Sequence, residues 1–232
     1  MFFPFLFFLT TLFSTPSPSP QFDDWKAGTV VSATAVEQYG VDRCFTATTI
    51  PDNVFARMKG RSYPAGCEVP RANLRYVKVL HYDFNGKIRQ GELVCNKAIA
   101  SDLVKIFRQL YDQRYPIESI RLIDDFDAND EKSMRANNTS CFCYRKVKGQ
   151  RKLSKHALGR AVDINPLYNP CVRYIRGRRT IQPSTATRYA NRKASFAHKI
   201  TRQDAAYKLF ISHGFRWGGA WRTVKDYQHF EK

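Results

Sequence analysis

Two histidines and two aspartates in the C-terminal half have the types and spacing of a metal-dependent hydrolase. His156 and Asp163 lie seven positions apart, and Asp226 and His229 follow near the end of the sequence. A catalytic zinc site uses three protein ligands and keeps one position open for water. Two neutral imidazoles and one carboxylate leave the metal positively charged, so that it acidifies the water and polarises a carbonyl oxygen. We therefore predict that His156, Asp163 and His229 bind Zn²⁺.

Such a site also needs a carboxylate close to the water but outside the ligand set, which accepts a proton and passes it on. Asp226, three residues before His229, is placed for this role. The alternative interpretation is structural, because a single histidine is more often a satisfied core residue than a ligand. His81, in a strand-like run, and His213, near a helix end, fit that interpretation, whereas His198 lies in a basic surface stretch.

These candidates need a loop and two strands to bring them together. In Ala161–Ile164, Ala161 and Asp163 would face one side and Val162 and Ile164 the other, which predicts a short strand. Asp163 would then reach the metal from this strand and His156 from the loop before it. Gly159 would let the backbone between them pass close to the metal. His229 would come from the last strand.

The region before these residues predicts a hairpin. Leu74–Tyr82 is rich in Val, Leu and Tyr, and Lys87–Val94 would be the returning strand. Asn85-Gly86 between them is a strong turn signal, because a type I′ turn requires positive φ at both central residues.

One helix is predicted before the metal-site residues and another between Asp163 and Asp226. Apolar residues from Ile99 to Leu110 recur at helical spacing, with Asn96 as the N-cap. Ile117–Ile123 predicts another strand, and Thr201–Asp204 resembles a capping box opening a helix that ends at Gly214. Mixed strands and helices without a regular βαβ rhythm predict an α+β fold, with a mostly antiparallel sheet flanked by helices and the zinc site in a cleft at the sheet.

The N-terminus predicts export. Phe2–Phe13 is apolar apart from two threonines, which is short for a membrane span but suits a signal peptide. An N-terminal core segment is the alternative. We expect residues 1–20 to be a signal peptide and residues 21–70 to form an irregular N-terminal extension.

Six cysteines agree with export, because an even number in an oxidising compartment suggests disulfides. Six cysteines allow 15 pairings, among which the sequence does not choose. A zinc site made only of cysteines is disfavoured, because no C-x-x-C pair is present.

The charge of the chain is high and uneven. Its 232 residues carry a net charge of +18, and 43% of them are hydrophobic, as in a globular protein. Arg145–Arg202 holds 16 Lys and Arg and a single acidic residue. This basic stretch favours a polyanionic neighbour, although a merely solvated surface is the alternative.

The pattern S-x-H-x-x-G-x-A-x-D at Ser154–Asp163, followed by D-x-x-H at Asp226–His229, resembles the signature of the zinc D-alanyl-D-alanine carboxypeptidase (VanY-like) family. That family includes D-Ala-D-Ala dipeptidases and L-alanyl-D-glutamate endopeptidases. Further similar segments, such as Gly91–Val94 and Gly214–Gly219, extend the resemblance over roughly residues 70–232.

The resemblance implies roles for individual residues. His156, Asp163 and His229 would bind Zn²⁺, and Asp226 would be the general base. Arg145 matches an arginine thought to polarise the scissile carbonyl or to bind the substrate carboxylate, and Ser154 resembles a substrate-contacting serine. A surface charge and a turn-capping serine are the respective alternatives. Residues 71–232 would form the zinc peptidase domain.

Two classes of function follow. The first is an exported bacterial zinc peptidase, periplasmic or secreted and monomeric, that hydrolyses peptidoglycan stem peptides. Its basic stretch would contact anionic wall polymer or a membrane surface, and no nucleic-acid partner is expected. The second is a non-catalytic basic module that binds cell wall or nucleic acid on the same fold. The intact set of three ligands and Asp226 favours the enzyme, but the sequence does not say which peptide bond is cleaved.

Overall fold

The structure is a computed structural model that describes residue 22, residues 24–146 and residues 152–232. The predicted signal peptide, residues 1–20, lies outside the described residues. Among the described residues, the α-helices with both ends defined are α1 (Ala33–Tyr39), α2 (Asp52–Met58), α3 (Lys97–Asp112), α4 (Asp130–Arg135) and α5 (Ala205–Ser212). The strands are β1 (Thr46–Thr48), β2 (Leu74–Tyr82), β3 (Ile88–Asn96), β4 (Ser119–Ile120), β5 (Asn138–Thr139), β6 (Ala161–Asp163), β7 (Cys171–Ile175), β8 (Arg178–Gln182), β9 (Arg216–Trp217), β10 (Val224–Asp226) and β11 (His229–Glu231).

These strands form several small sheets. Three are antiparallel and three-stranded, with the orders β1-β2-β3, β10-β7-β8 and β6-β11-β9, and a short parallel pair joins β4 to β5. The predicted α+β class with mostly antiparallel pairing is therefore confirmed. We call β6-β11-β9 the ligand sheet, because it carries Asp163 and His229, and β10-β7-β8 the wall sheet, which carries Asp226.

The predicted hairpin is present, but its turn differs from the expected type. β2 and β3 pair from Leu74↔Asn96 to Tyr82↔Ile88, leaving a five-residue connection. Of the two turn residues, only Gly86 has positive φ, at 72°. The side chain of Asp83 shapes this turn, since its Oδ1 accepts hydrogen bonds from the backbone of Asn85 and Lys87, each at 2.9 Å.

Helix α3 covers one face of the hairpin and begins where it was predicted to begin. The Asn96 side chain accepts a hydrogen bond from the backbone N–H of Ala98, as an N-cap residue does. The apolar residues of α3, including Leu103 and Ile106, are fully buried in the main core. Asn96 also donates to the carbonyl of Leu158 and its backbone N–H to the carbonyl of Gly159, which ties the helix start to the loop of His156.

The described part of the N-terminal segment, residue 22 and residues 24–70, packs on the rest of the protein and contains α1, β1 and α2. Val36 and Phe45 belong to the same core as β2, β3 and α3. Arg57 forms an ion pair with the buried Glu92 at 2.6 Å. The Ser62 hydroxyl donates to the Asp124 carboxylate at 2.8 Å. The segment therefore shares one core with the residues that follow it, and the boundary at residue 70 stays a prediction.

Two predicted elements are shorter than expected. Only Ser119–Ile120 of the predicted strand Ile117–Ile123 is a strand, because the chain turns into a 3₁₀ helix at Ile123. The C-terminal helix begins at Ala205, because the Asp204 side chain caps it by accepting from the N–H groups of Ala206 and Tyr207.

The predicted disulfide is not present. All six cysteines lie among the described residues and are free thiols, and five of them are buried: Cys44, Cys95, Cys141, Cys143 and Cys171. Burial raises the pKa of Cys44 to about 11 and that of Cys143 to about 12. These side chains therefore pack as small, protonated, apolar groups. Among the described residues, we find no helix whose length and apolar character would allow it to cross a membrane.

Candidate metal centre and active site

The structure brings the three predicted metal ligands together. His156 Nε2 lies 3.2 Å from His229 Nδ1 and 3.3 Å from Asp163 Oδ1. Asp163 Oδ1 lies 3.0 Å from His229 Nδ1. One donor atom from each residue thus falls within 4.8 Å of the other two, which is close enough for all three to contact a single cation.

Sheet register places two of the ligands. His229 on β11 lies directly opposite Asp163 on β6, so that their side chains share one face of the ligand sheet. The third ligand, His156, reaches the pair from the turn that precedes β6. Residues that were far apart in the sequence meet because the last strand pairs antiparallel with the strand carrying Asp163.

Gly159 allows the turn of His156 to lie against the hairpin. Its φ is +65°, a conformation that glycine adopts without steric cost. A Cβ at this position would stand 2.7 Å from the backbone nitrogen of Asn96 and 3.1 Å from the carbonyl carbon of Cys95. Both contacts are with backbone atoms, so a side chain cannot be accommodated by a rotamer change.

In each ligand histidine, the ring nitrogen that faces away from the cluster is within hydrogen-bond distance of another group of the protein. His156 Nδ1 donates to the carbonyl of Cys141 at 2.7 Å, which leaves the lone pair of Nε2 facing the other ligands. His229 Nε2 lies 3.2 Å from Glu231 Oε2, which leaves its Nδ1 toward the cluster. Outer partners of this kind orient metal-binding imidazoles and fix their tautomers.

The charges of the cluster depend on one another. Burial lowers the pKa of His229, but its contacts with Asp163 and Glu231 more than compensate and raise it to about 10. Burial opposes ionisation of Asp163, yet the neighbouring His156 and His229 hold the pKa of this carboxyl well below its usual range. Asp163 is therefore an anion, and a cation that binds here displaces a proton from His229.

The donor set fits a divalent cation such as Zn²⁺. It consists of two imidazole nitrogens and one carboxylate oxygen, which is a ligand set of catalytic zinc sites. The hydrogen bonds to Cys141 and Glu231 direct the remaining nitrogens of His156 and His229 inward. The residues present therefore match the metal that the sequence predicted, whereas the identity of the metal stays a prediction.

Asp226 lies beside the cluster and outside the ligand set. Its Oδ1 is buried and has no hydrogen-bond partner in the structure. Burial, together with the negative charge of Asp163, raises the pKa of the Asp226 carboxyl. Gly218 packs closely against β10 and β11, since a Cβ at this position would stand 2.9 Å from Asp226 Cβ and 3.2 Å from His229 Cβ. A carboxyl with an unsatisfied oxygen and a raised pKa is suited to exchange protons with a bound reactant.

Arg145 and Ser154 line the same cavity, but both have partners within the protein. The guanidinium of Arg145 forms an ion pair with Asp130 at the start of α4. The hydroxyl of Ser154 accepts a hydrogen bond from the backbone N–H of Ala157 at 3.0 Å and so caps the turn that carries His156. The turn-capping alternative for Ser154 is thus present in the structure, whereas the substrate contacts of both residues stay predictions.

The candidate ligands and Asp226 open into a cavity of about 780 Å³. The wall sheet forms one side, since Cys171, Gln182 and Asp226 are register partners across it and all line the cavity. Residues of α4 and of the segment around Ser154 also line it. This volume is within the range of small-molecule and peptide sites.

Glu231 is the residue of this site that the sequence reasoning missed. It lies two positions after His229, so on a strand both side chains face the same side. That spacing was the available signal, because a carboxylate two residues from a strand histidine is placed to contact its ring. Glu231 also pairs with Arg216 at 2.8 Å, which fixes its second oxygen.

Comparison with protein families matches residues 148–232 to the D-alanyl-D-alanine carboxypeptidase family. The matched segment contains the three candidate ligands and Asp226, so the resemblance inferred from the sequence motifs is confirmed for this part of the chain. The comparisons with curated proteins and with solved structures gave no match.

Proposed function

We propose that this protein is a zinc-dependent peptidase that hydrolyses peptide bonds in peptidoglycan stem peptides. The observation that carries the proposal is the cluster of His156, Asp163 and His229 beside the buried carboxyl of Asp226, whose Oδ1 has no hydrogen-bond partner, on the wall of one cavity. The family match over the same residues supports a carboxypeptidase type of activity.

Each residue has a distinct task in this proposal. The three ligands hold the cation, which when bound supplies the Lewis acidity that activates water and polarises the scissile carbonyl. Asp226 accepts a proton at its free Oδ1 and delivers it to the leaving amine. A second carboxylate ligand would weaken the pull of the metal on water, so Asp226 is most useful outside the ligand set.

Two isosteric substitutions test these roles. Asp226→Asn should keep bound zinc while turnover falls by about 10²–10⁴-fold, the usual size of a general-base contribution. Asp163→Asn should lose zinc, because the anionic ligand is gone. Metal content is measured by elemental analysis, and activity by mass spectrometry of digested peptidoglycan.

Three outcomes would contradict the proposal: full activity of Asp226→Asn, loss of its zinc, or an intact wild-type chain that binds zinc but releases no fragment from peptidoglycan. The last outcome would favour the rival class, a non-catalytic binding module.

We further propose that the mature chain acts outside the cytoplasm. The apolar segment Phe2–Phe13 supports this, and so does the location of the proposed substrate. The basic stretch would then face anionic wall polymer or a membrane surface: Arg176, Arg178 and Arg179 are exposed around the turn between β7 and β8. N-terminal sequencing of the secreted protein tests export, and an intact N-terminus on a cytoplasmic protein would contradict it.

A further inference from the structure

We propose that the end of the β7–β8 hairpin docks the protein on the surface of an anionic lipid bilayer. We call residues 174–179 the hairpin tip, because they form the last two pairs of the hairpin and the turn between them. The inference narrows the polyanionic neighbour proposed above to a membrane. It rests on the exposed side chains of the tip, so it can be tested without the peptidase activity.

The hairpin tip exposes apolar side chains to water. Tyr174 is 67% exposed, and the adjacent Ile175 is 47% exposed. In the part of the chain that the structure describes, two other large apolar side chains are exposed, Val30 and Ile211, and these lie apart in the sequence. Exposed apolar residues that are scattered singly are normal on a protein surface, but two in succession at the end of a hairpin indicate a contact surface.

The hairpin tip also carries an unbalanced positive charge. Arg176, Arg178 and Arg179 are exposed, and the sequence from residue 164 to residue 203 contains no acidic residue. Among the described residues, none of these arginines forms an ion pair, and Arg179 donates to the backbone carbonyl of Ala190 at 3.0 Å. A guanidinium can bind two oxygens of one phosphate, so lipid phosphates complement the tip in charge and in geometry.

Sheet register places one apolar side chain and one arginine on each face of the hairpin tip. Tyr174 lies opposite Arg179, and Ile175 lies opposite Arg178. Directly opposite residues point to the same side of a sheet, whereas successive residues point to opposite sides. A polymer bound to one face would therefore leave an apolar side chain in water. A bilayer surrounds an inserted tip on both faces, and tyrosine is enriched at its boundary with water.

The hairpin tip projects beyond the third strand of the wall sheet. Strand β10 pairs with β7 only as far as Arg173, which lies opposite Val224. Two further residues of β7 add about 6.8 Å of length. Apolar groups that bind at a membrane surface lie about 5–10 Å deep, at the boundary of headgroups and acyl chains. The projecting length therefore matches the depth at which Tyr174 and Ile175 would be buried.

The conformation of the hairpin tip is set by a tight turn. Arg176 and Gly177 form the two-residue connection, with φ of 48° and 73°, and a type I′ turn requires positive φ at both positions. A preformed tip loses little conformational entropy when it binds. Residues 174–179 do not line the cavity of the metal site, so substitutions there should not disturb the catalytic residues.

The test measures partitioning of the wild type and two double variants into vesicles by co-sedimentation. The vesicles contain equimolar phosphatidylglycerol and phosphatidylcholine, or phosphatidylcholine alone. Arg176→Gln/Arg178→Gln should weaken partitioning into the anionic vesicles by about 30-fold, because each basic residue near such a surface contributes about fivefold. Tyr174→Ser/Ile175→Ser keeps every charge and should weaken it by about 10–30-fold through lost apolar burial.

Binding to immobilised polyphosphate separates a membrane from a polyanion that has no apolar phase. Tyr174→Ser/Ile175→Ser should bind polyphosphate as the wild type does, because its charges are intact. The arginine variant should bind polyphosphate more weakly.

Matched controls come from α5 and the segment before it. Ile211→Ser removes an exposed apolar side chain, and Arg202→Gln/Lys208→Gln removes two exposed positive charges. Both controls should partition more like the wild type than the tip variants do. All variants share one N-terminus, so any contribution of Phe2–Phe13 is common to them, and urea unfolding verifies that each is folded.

Equal binding of the wild type to the two kinds of vesicle would overturn the assignment, and so would unchanged partitioning of either tip variant. Binding to polyphosphate but to neither vesicle would also overturn it and would identify an anionic polymer as the partner. Vesicle binding is measured without substrate, so each of these outcomes leaves the proposed peptidase function standing. Loss of the peptidase function, in turn, would leave the docking surface intact.

Discussion

Adding one methyl group at Gly159 should destabilise the protein and loosen the metal site together. Two costs are expected. An alanine at φ +65° adopts the left-handed conformation, which costs about 1–2 kcal/mol. Its Cβ would also stand 2.7 Å from the Asn96 nitrogen, and overpacking of this kind costs about 1–3 kcal/mol. The free energy of unfolding of Gly159→Ala should therefore fall by about 2–5 kcal/mol.

Gly66→Ala is the matched control. Gly66 has a φ of +79°, but a Cβ there would meet nothing within 4 Å, so only the conformational cost of about 1–2 kcal/mol applies. Urea unfolding measures both variants, and elemental analysis measures their zinc content. Gly159→Ala should lose zinc more readily, because the turn that carries His156 is pushed away from the hairpin, whereas Gly66→Ala should keep it. Equal destabilisation of the two variants would refute the argument from close packing.

Three further predictions concern a buried histidine, the cysteines and the basic stretch. His81 is buried in β2, and burial lowers its pKa from 6.5 to about 4. Between these pH values the His81 ring is therefore protonated in the unfolded state but neutral in the folded state. The contribution of neutral His81 to the free energy of unfolding should be complete above pH 6.5, and about 3 kcal/mol of it should be lost as the pH drops toward 4. In urea titrations, the free energy of unfolding of His81→Leu should fall less steeply with pH. An identical slope in the variant would exclude His81 as the cause. A thiol reagent should find six free cysteines in denaturant and react in the native protein mainly with Cys67, which is the one that is not buried; fewer than six in denaturant would contradict the structure. Binding of Arg145–Arg202 to anionic polymer should weaken steeply between 0.1 and 1 M salt, since the Debye length shrinks from about 10 to about 3 Å; co-sedimentation unaffected by salt would argue against an electrostatic origin.

Local signals in the sequence predicted the elements that depend on short-range chemistry. The cap at Asn96 and the apolar spacing after it located α3, because capping and amphipathic burial act within a few turns. The hairpin signal at Gly86 was also correct. Its turn type was not, because the Asp83 side chain provides acceptors for the turn, which the dipeptide Asn85-Gly86 does not reveal.

Long-range pairing limited what the sequence could show of the site. The ligand types and spacing singled out three residues that the fold does bring together, but nothing local indicated that β11 pairs with β6 in the register that opposes His229 to Asp163. The contact of Glu231 with His229 lies on the same strand, β11. The strand predicted at Ile117–Ile123 was mostly wrong because its apolar residues are buried by tertiary contacts and not by regular pairing.

The hydrogen bonds around the turn of His156 reach beyond the segment that matches the family. The family match begins at residue 148, yet the acceptor that orients His156 is the carbonyl of Cys141, and the backbone that holds Gly159 is that of Asn96. A fragment limited to residues 148–232 would carry every predicted ligand and still lack the scaffold that aligns them. Exchange of this segment between proteins would therefore transfer the candidate ligands without the groups that align them, unless the recipient supplied an equivalent carbonyl and helix start.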